Sequence, residues 1–149
     1  MAGLAGEPLV ILLVEDNEDH AELVIRNFRQ QRVANRIFHV PDGEQALDFL
    51  FHRKGFHNPE TSPRPNLILL DLRLPRVDGL EVLKTIKQTP DLLRIPVVIL
   101  TSSAAESDVA RSYDFHANSY VEKPLDFPRF TKLMQDMGFY WLGWNMKPH

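Results

Sequence analysis

Three stretches of the chain are apolar without interruption and stop abruptly on polar groups. Residues 9–14 run into Glu15-Asp16, residues 67–70 into Asp71, and residues 96–100 into Thr101-Ser102. Short unbroken apolar runs bounded by turn residues predict strands buried on both faces. Two weaker candidates accompany them. Residues 36–40 precede the turn Pro41-Asp42-Gly43, and residues 118–121 end in Glu122-Lys123-Pro124.

Between these runs the apolar period changes to that of a helix. Ala21, Val24, Ile25 and Phe28 share one face, behind the acidic start Asn17-Glu18-Asp19. Asp42 and Gln45 form a capping-box signature before Ala46, Phe49 and Leu50. Leu80, Leu83 and Ile86 predict a third helix that ends near Thr89-Pro90. Ser103 and Glu106 form a second capping box, but the helix behind them has little apolar face beyond Val109 and Tyr113. So thin a stripe buries little area, which predicts a loosely held helix. Asp126 and Pro128 open a last helix with Phe130, Leu133, Met134 and Met137 on one side. Residues 52–65 lose all periodicity and carry Gly55, Pro59, Pro63 and Pro65, so a long surface loop without chemistry is expected there.

Strand and helix alternate throughout, which predicts a parallel α/β sheet with helices on both faces and right-handed crossovers. One domain is expected over 1–149, with its core at about 9–137 and an aromatic extension at 138–149. Composition leaves that picture unchanged. The 149 residues are 44% hydrophobic and 25% charged, ordinary values for a soluble globular domain. A net charge of −3 carries no nucleic-acid footprint. The chain has no cysteine, hence no disulfide and no thiolate metal site. No apolar run approaches a membrane span, and residues 1–6 lack the regions of a signal peptide, so the cytoplasm is the expected location.

Chemistry enters through the strand ends. An unpaired carboxylate has no place inside a core. Asp71 therefore belongs at the rim, where its strand emerges and Pro75 and Gly79 turn the chain into the next helix. Open parallel sheets bind and react at the carboxyl ends of their strands. The topology then brings Glu15-Asp16, Asp71, Thr101 and Lys123 to one edge. Singly, each has a plain explanation, as a helix cap, a loop hydroxyl or a solvated lysine. Jointly they make Asp71 the expected reactive group, with the other strands supplying its partners.

With these residues in view, the chain resembles a response-regulator receiver domain from about Leu9 to Met137. The resemblance is carried by Glu15-Asp16, by Asp71-Leu-Arg-Leu-Pro-Arg-Val-Asp-Gly79, by Thr101-Ser102 and by Lys123-Pro124. It implies a flavodoxin-like, doubly wound fold of five strands in the order 2-1-3-4-5. It implies that Asp71 accepts a phosphoryl group from a histidine kinase with magnesium. Asp16, Asp71 and the backbone carbonyl of Arg73 would be direct ligands, and Glu15 would act through metal-bound water. Lys123 would neutralise charge on the phosphoryl oxygens, and Thr101 would bond to one of them. Tyr120 matches the family's rotameric switch, and the Lys123-Pro124 peptide is expected to be cis. Physical chemistry agrees with magnesium: carboxylates at close quarters repel by about 4 kcal/mol per pair at 4 Å, and an all-oxygen site suits that ion.

The long loop before the third strand and the end Phe139-Tyr140-Trp141-Leu142-Gly143-Trp144 also resemble the small response regulators of cyanobacterial phytochromes. That likeness implies a phytochrome kinase as donor and light as the signal. Two positions depart from the family pattern. Arg73 is either a charge beside the phosphate that tunes its lifetime or a solvated arginine. His116 stands where many receivers have glycine, and histidine tolerates a left-handed backbone better than most residues.

The resulting expectation is a signalling phosphoacceptor and not a metabolic enzyme. One rival is a phosphohydrolase of the haloacid dehalogenase type. It needs a general acid two residues after the nucleophile, where this chain has Arg73. The other is a receiver-fold binding module without phosphorylation. Finally, Phe139, Tyr140, Trp141, Leu142 and Trp144 cannot all face one core, because a helix distributes them around its axis. They either fold back on the domain or, as expected here, form a homodimer interface.

Overall fold

The computed structural model describes residues 9–30, 35–113 and 115–136. Five parallel strands form one sheet: β1 (Leu9–Val14), β2 (Asn35–Val40), β3 (Leu67–Asp71), β4 (Val97–Thr101) and β5 (Ser119–Glu122). Their order is β2-β1-β3-β4-β5. The helices are α1 (Glu18–Arg29), α2 (Gly43–Leu50), α3 (Gly79–Lys87), α4 (Ala104–Ser112) and α5 (Phe127–Asp136).

The apolar strands are two-faced, as parallel strands between helical layers must be. Leu9, Ile11, Leu13, Leu67, Leu69, Val98 and Leu100 pack against α1 and α5 through Val24, Phe28, Phe130 and Met134. Phe28 meets Phe127 and Phe130 edge to face, with centroids 5.0 and 5.7 Å away. Leu12, Val14, Ile68, Leu70, Val97 and Ile99 face the opposite way, against Phe49 and Leu50 of α2 and Val82, Leu83 and Ile86 of α3. Every residue of β3 and β4 is buried, so the middle of the sheet is a rigid base for whatever projects from its ends.

Each helix starts on a side-chain cap. Asn17, Asp42, Asp78, Ser103 and Asp126 accept from the backbone N–H groups of His20, Gln45, Glu81, Glu106 and Arg129 respectively. Such caps satisfy orphan donors of the first turn and set where each helix leaves the sheet edge.

α4 differs from its expected packing. Val109 and Tyr113, its large apolar residues, point outward and are 59% and 55% exposed. Its buried face consists of Ser107 and Ala110. The helix is therefore thinner-packed than its sequence implied, because its largest side chains contribute little to the core.

The stretch expected to be a patternless loop has fixed contacts. A 3-10 turn at Lys54–Phe56 sets the Phe56 ring 5.4 Å from that of Phe49. The Arg64 guanidinium donates to the Leu50 carbonyl at 2.8 Å, and a ring nitrogen of His52 lies 2.8 Å from the Ser62 carbonyl. Side-chain-to-backbone bonds of this kind leave no hydrophobic period to read. His116 has φ 67°, in the left-handed region. Met137 and the aromatic extension, with Phe139, Tyr140, Trp141, Leu142 and Trp144, lie outside the described residues.

The loop from β3 to α3 is held by close backbone approach. A Cβ on Gly79 would lie 2.3 Å from the Asp71 carbonyl oxygen and 2.7 Å from that of Leu72. One on Gly55 would meet nothing within 4 Å. Gly79→Ala is predicted to cost about 1–3 kcal/mol, as overpacking against backbone does. Gly55→Ala should stay within about 0.5 kcal/mol. Urea denaturation of both variants checks the contrast, and equal midpoints would contradict it.

Candidate phosphoacceptor site

Strand register assembles the site. Asp71 pairs with Leu100, so Thr101 extends one residue further along β4, and Thr101 in turn pairs with Glu122. Lys123 follows β5 and donates its backbone N–H to the Thr101 carbonyl at 2.8 Å. Glu15 follows β1 and donates its N–H to the Val40 carbonyl at 3.1 Å. The same edge thus presents Glu15, Asp16, Asp71, Thr101 and Lys123 together.

One carboxylate oxygen from each of Glu15, Asp16 and Asp71 lies within 4.8 Å of the other two. Glu15 and Asp71 are buried, whereas Asp16 is exposed. The Lys123 ammonium is the cation that serves the buried pair. It donates to Asp71 Oδ2 at 3.0 Å and to Glu15 Oε1 at 3.2 Å, and lies 3.4 Å from Nδ1 of His20. The peptide that follows, Lys123-Pro124, is cis. The second oxygen of Asp71 accepts the Arg73 backbone N–H at 3.2 Å.

The electrostatics show an excess of negative charge. Burial, then the hydrogen bond and charge of Asp71, push the Glu15 carboxyl up to about 7, against the pull of the Asn17 N–H and Lys123. Burial alone would lower Lys123, but its bonds to Asp71 and Glu15 and their charges outweigh this and hold it above the ordinary lysine value. One ammonium cannot balance three carboxylates. An all-oxygen donor set with spare negative charge fits a hard divalent cation, which takes one or two carboxylates and keeps other positions for water or phosphate.

Thr101 is buried, and its hydroxyl is not turned toward Asp71. Its Oγ1 is 2.6 Å from Ser107 Oγ on α4 and 3.4 Å from the Val121 carbonyl. Ser107 carries no sequence signal, since a serine inside a helix matches no motif. Tyr120 is half-buried, and the Arg111 guanidinium sits 4.8 Å above its ring. Arg111 also went unnoticed in the sequence. The Arg73 side chain crosses from the β3–α3 loop to α4 and donates through Nε to Glu106 Oε2. That bond, with the Glu106 charge, holds the Arg73 guanidinium above its usual value. For Glu106, burial works against ionisation, but the Ser102 N–H and Arg73 prevail and lower it.

This edge constellation on this strand order defines a receiver. Residues 11–135 match the family model of the response regulator receiver domain, and the chain belongs to that family. It is a signalling protein of the two-component class, with the flavodoxin-like receiver fold.

Among known proteins, the chain is 44% identical to the response regulator Rcp1 of Synechocystis sp. over 142 residues, 95% of each chain. It is 45% identical to the probable methanogenesis regulatory protein FilR2 of Methanothrix harundinacea, covering 97% of this chain and 90% of that one. The solved structure of the bacteriophytochrome response regulator AtBRR superposes with a TM-score of 0.81 at 44% identity, covering 91% and 96% of the two chains. Rcp1 has been solved in a Mn(2+)-bound form. The chain is thus homologous to phytochrome response regulators.

The raised Glu15 group predicts a definite pH dependence. Its folded value lies above the unfolded one of about 4.5, so the folded state holds the extra proton. The stability is fully present below about 4.5, falls as pH rises from there to about 7 while only the unfolded chain ionises, and stays lower above that. Metal-free protein should therefore lose up to about 3 kcal/mol between pH 5 and 8 on this account. Glu15→Gln should flatten that slope, and magnesium should raise Tm more at pH 8 than at pH 5.5. A wild-type slope that survives in Glu15→Gln would contradict the assignment.

Proposed function

We propose that Asp71 is a phosphoacceptor that takes a phosphoryl group from the phosphohistidine of a histidine kinase. The observation that carries this reading is the position of Lys123, 3.0 Å from one oxygen of a buried carboxylate that two further carboxylates surround. In the transfer, an Asp71 oxygen forms a bond to phosphorus while the bond from phosphorus to the donor imidazole nitrogen breaks. Lys123 is placed to follow negative charge onto the phosphoryl oxygens, the electrostatic stabilisation that dominates such reactions.

Asp16, Asp71 and the Arg73 carbonyl would hold magnesium, with Glu15 acting through water. When bound, the ion supplies the positive charge that lets the phosphoryl oxygens approach a carboxylate cluster. Thr101 leaves Ser107 for the phosphoryl group, and the Tyr120 ring follows into the space it vacates. The chain assists its own phosphorylation but turns over no metabolite. A dehalogenase-type phosphohydrolase is disfavoured, because Arg73 is paired to Glu106 where that chemistry needs an acid.

The kinase we propose is a phytochrome, on the strength of the bacteriophytochrome response regulator AtBRR, and a phosphotransfer panel that contains phytochrome kinases tests it. No helix among the described residues is long and apolar enough to cross a membrane, in keeping with a cytoplasmic partner. Asp71→Asn should abolish transfer of labelled phosphate from the kinase, and so should chelation of magnesium. An aspartyl phosphate is a labile mixed anhydride, so acid-stable label that persists in Asp71→Asn would refute the assignment.

The response is proposed to pass through a homodimer built on Phe139, Tyr140, Trp141, Leu142 and Trp144. Five large apolar groups so close in sequence form an unusually large patch if left bare, and interface cores favour tryptophan and tyrosine. Sedimentation should show the full chain as a dimer at tens of micromolar and a chain ending at Met137 as a monomer. A monomeric full chain, with and without beryllofluoride, would defeat the proposal.

A further inference from the structure

Among the links from the rim of the site to the start of α4, two run between side chains. One is internal, Thr101 to Ser107, and the other external, Arg73 to Glu106. The external one is asymmetric. The Arg73 side chain is 79% exposed, whereas that of Glu106 is 10% exposed. Glu106 is fixed independently of Arg73: its Oε1 accepts the Ser102 N–H at 2.7 Å, and its own N–H is capped by Ser103 at 3.1 Å. Glu106 is therefore the anchor, and Arg73 the exposed arm that reaches it.

Arg73 lies two residues beyond Asp71, and its backbone N–H already reaches the Asp71 carboxylate at 3.2 Å. Its guanidinium and Glu106 line the same cleft as Asp16. A phosphoryl group on Asp71 would place more negative charge beside this arm than Glu106 offers, in a form that a guanidinium binds well.

We propose that Glu106 is a positioning residue that holds Arg73 away from the phosphoryl position, and that phosphorylation moves the Arg73 guanidinium from Glu106 to the phosphoryl oxygens. Glu106 thus competes with the phosphoryl group for one cation and weakens anion binding at Asp71. The exchange leaves a mostly buried carboxylate on α4 without its cation, which carries the event to the helix. This inference rests on Asp71 being the phosphoacceptor.

A double-mutant cycle read by binding tests it. Beryllofluoride with magnesium serves as the phosphoryl mimic, and its affinity is measured by 19F NMR titration of wild type, Glu106→Gln, Arg73→Ala and the double variant. Glutamine keeps an oxygen for the Ser102 N–H, so the α4 cap survives while the charge is removed. Removing Glu106 as competitor should tighten binding about two- to fivefold, the scale of an exposed ion pair. Arg73→Ala should weaken binding, and in that background Glu106→Gln should change almost nothing. An unchanged or weaker affinity in Glu106→Gln overturns the proposal. So does an undiminished gain in the Arg73→Ala background, which would make Glu106 a through-space charge, or unchanged affinity in Arg73→Ala alone. Beryllofluoride binding by wild type that is lost in Asp71→Asn verifies the site separately. If wild type fails to bind, the reading of the site and the inference fall together.

Discussion

One ammonium group shared between two buried carboxylates is the constraint on which the rest depends. Asp71 is 4% exposed and Glu15 1% exposed, and such groups do not stay ionised in a protein without partners. Lys123 reaches both. It arrives from the far end of the chain because β5 lies beyond β4 in the sheet, and β4 lies beside β3. The central strands β3 and β4, buried along their whole length, hold the middle of this arrangement rigid. Even so, the charges do not balance. The Glu15 carboxyl is pushed up to about 7, by its burial first and by the neighbouring Asp71 second. The fold thus holds a site that a cation and an anionic group together would complete.

What makes this a switch and not merely a binding site is the contrast between the sheet and α4. The other helices bury aromatic or branched side chains, whereas α4 buries only Ser107 and Ala110. Its attachment relies on polar links, and two of them end on residues beside Asp71. A helix held by apolar area has no reason to respond to a new charge. On the proposed reading, one held by a threonine hydroxyl and an arginine does, because a phosphoryl group on Asp71 would offer both groups a stronger partner. The energy needed to repack so thin an interface is a few kcal/mol, within the range that differential binding supplies.

Much of this was legible in the sequence, for physical reasons. Parallel strands in a doubly wound sheet are apolar on both faces, so residues 9–14, 67–70 and 96–100 stood out, and their polar ends marked the functional edge. The caps at Asp42 and Ser103 were readable because capping depends on local spacing. The relations between distant residues were not. Arg73 and Glu106 are 33 positions apart, and neither shows its partner in any local pattern. Ser107 gives no signal, since its role depends on where β4 delivers Thr101. The outward direction of Val109 and Tyr113 ran against a rule that assigns large apolar groups to the core. The contacts of residues 52–65 escaped because they are side-chain bonds to backbone carbonyls and one isolated ring contact, Phe56 on Phe49, which makes no period.

The central claim is that this edge exists to carry a phosphoryl group on one particular carboxylate. The most direct measurement maps that carboxylate. Protein treated with acetyl phosphate and magnesium is reduced with borohydride, which converts an aspartyl phosphate to homoserine, and is then digested and sequenced by mass spectrometry. The account predicts homoserine at position 71, none at Asp16 and no 2-amino-5-hydroxyvaleric acid, the product a glutamyl phosphate would give, at Glu15, with no product when magnesium is withheld. Reduction at Asp16, or an unmodified Asp71 in protein that has taken up phosphate elsewhere, would contradict it.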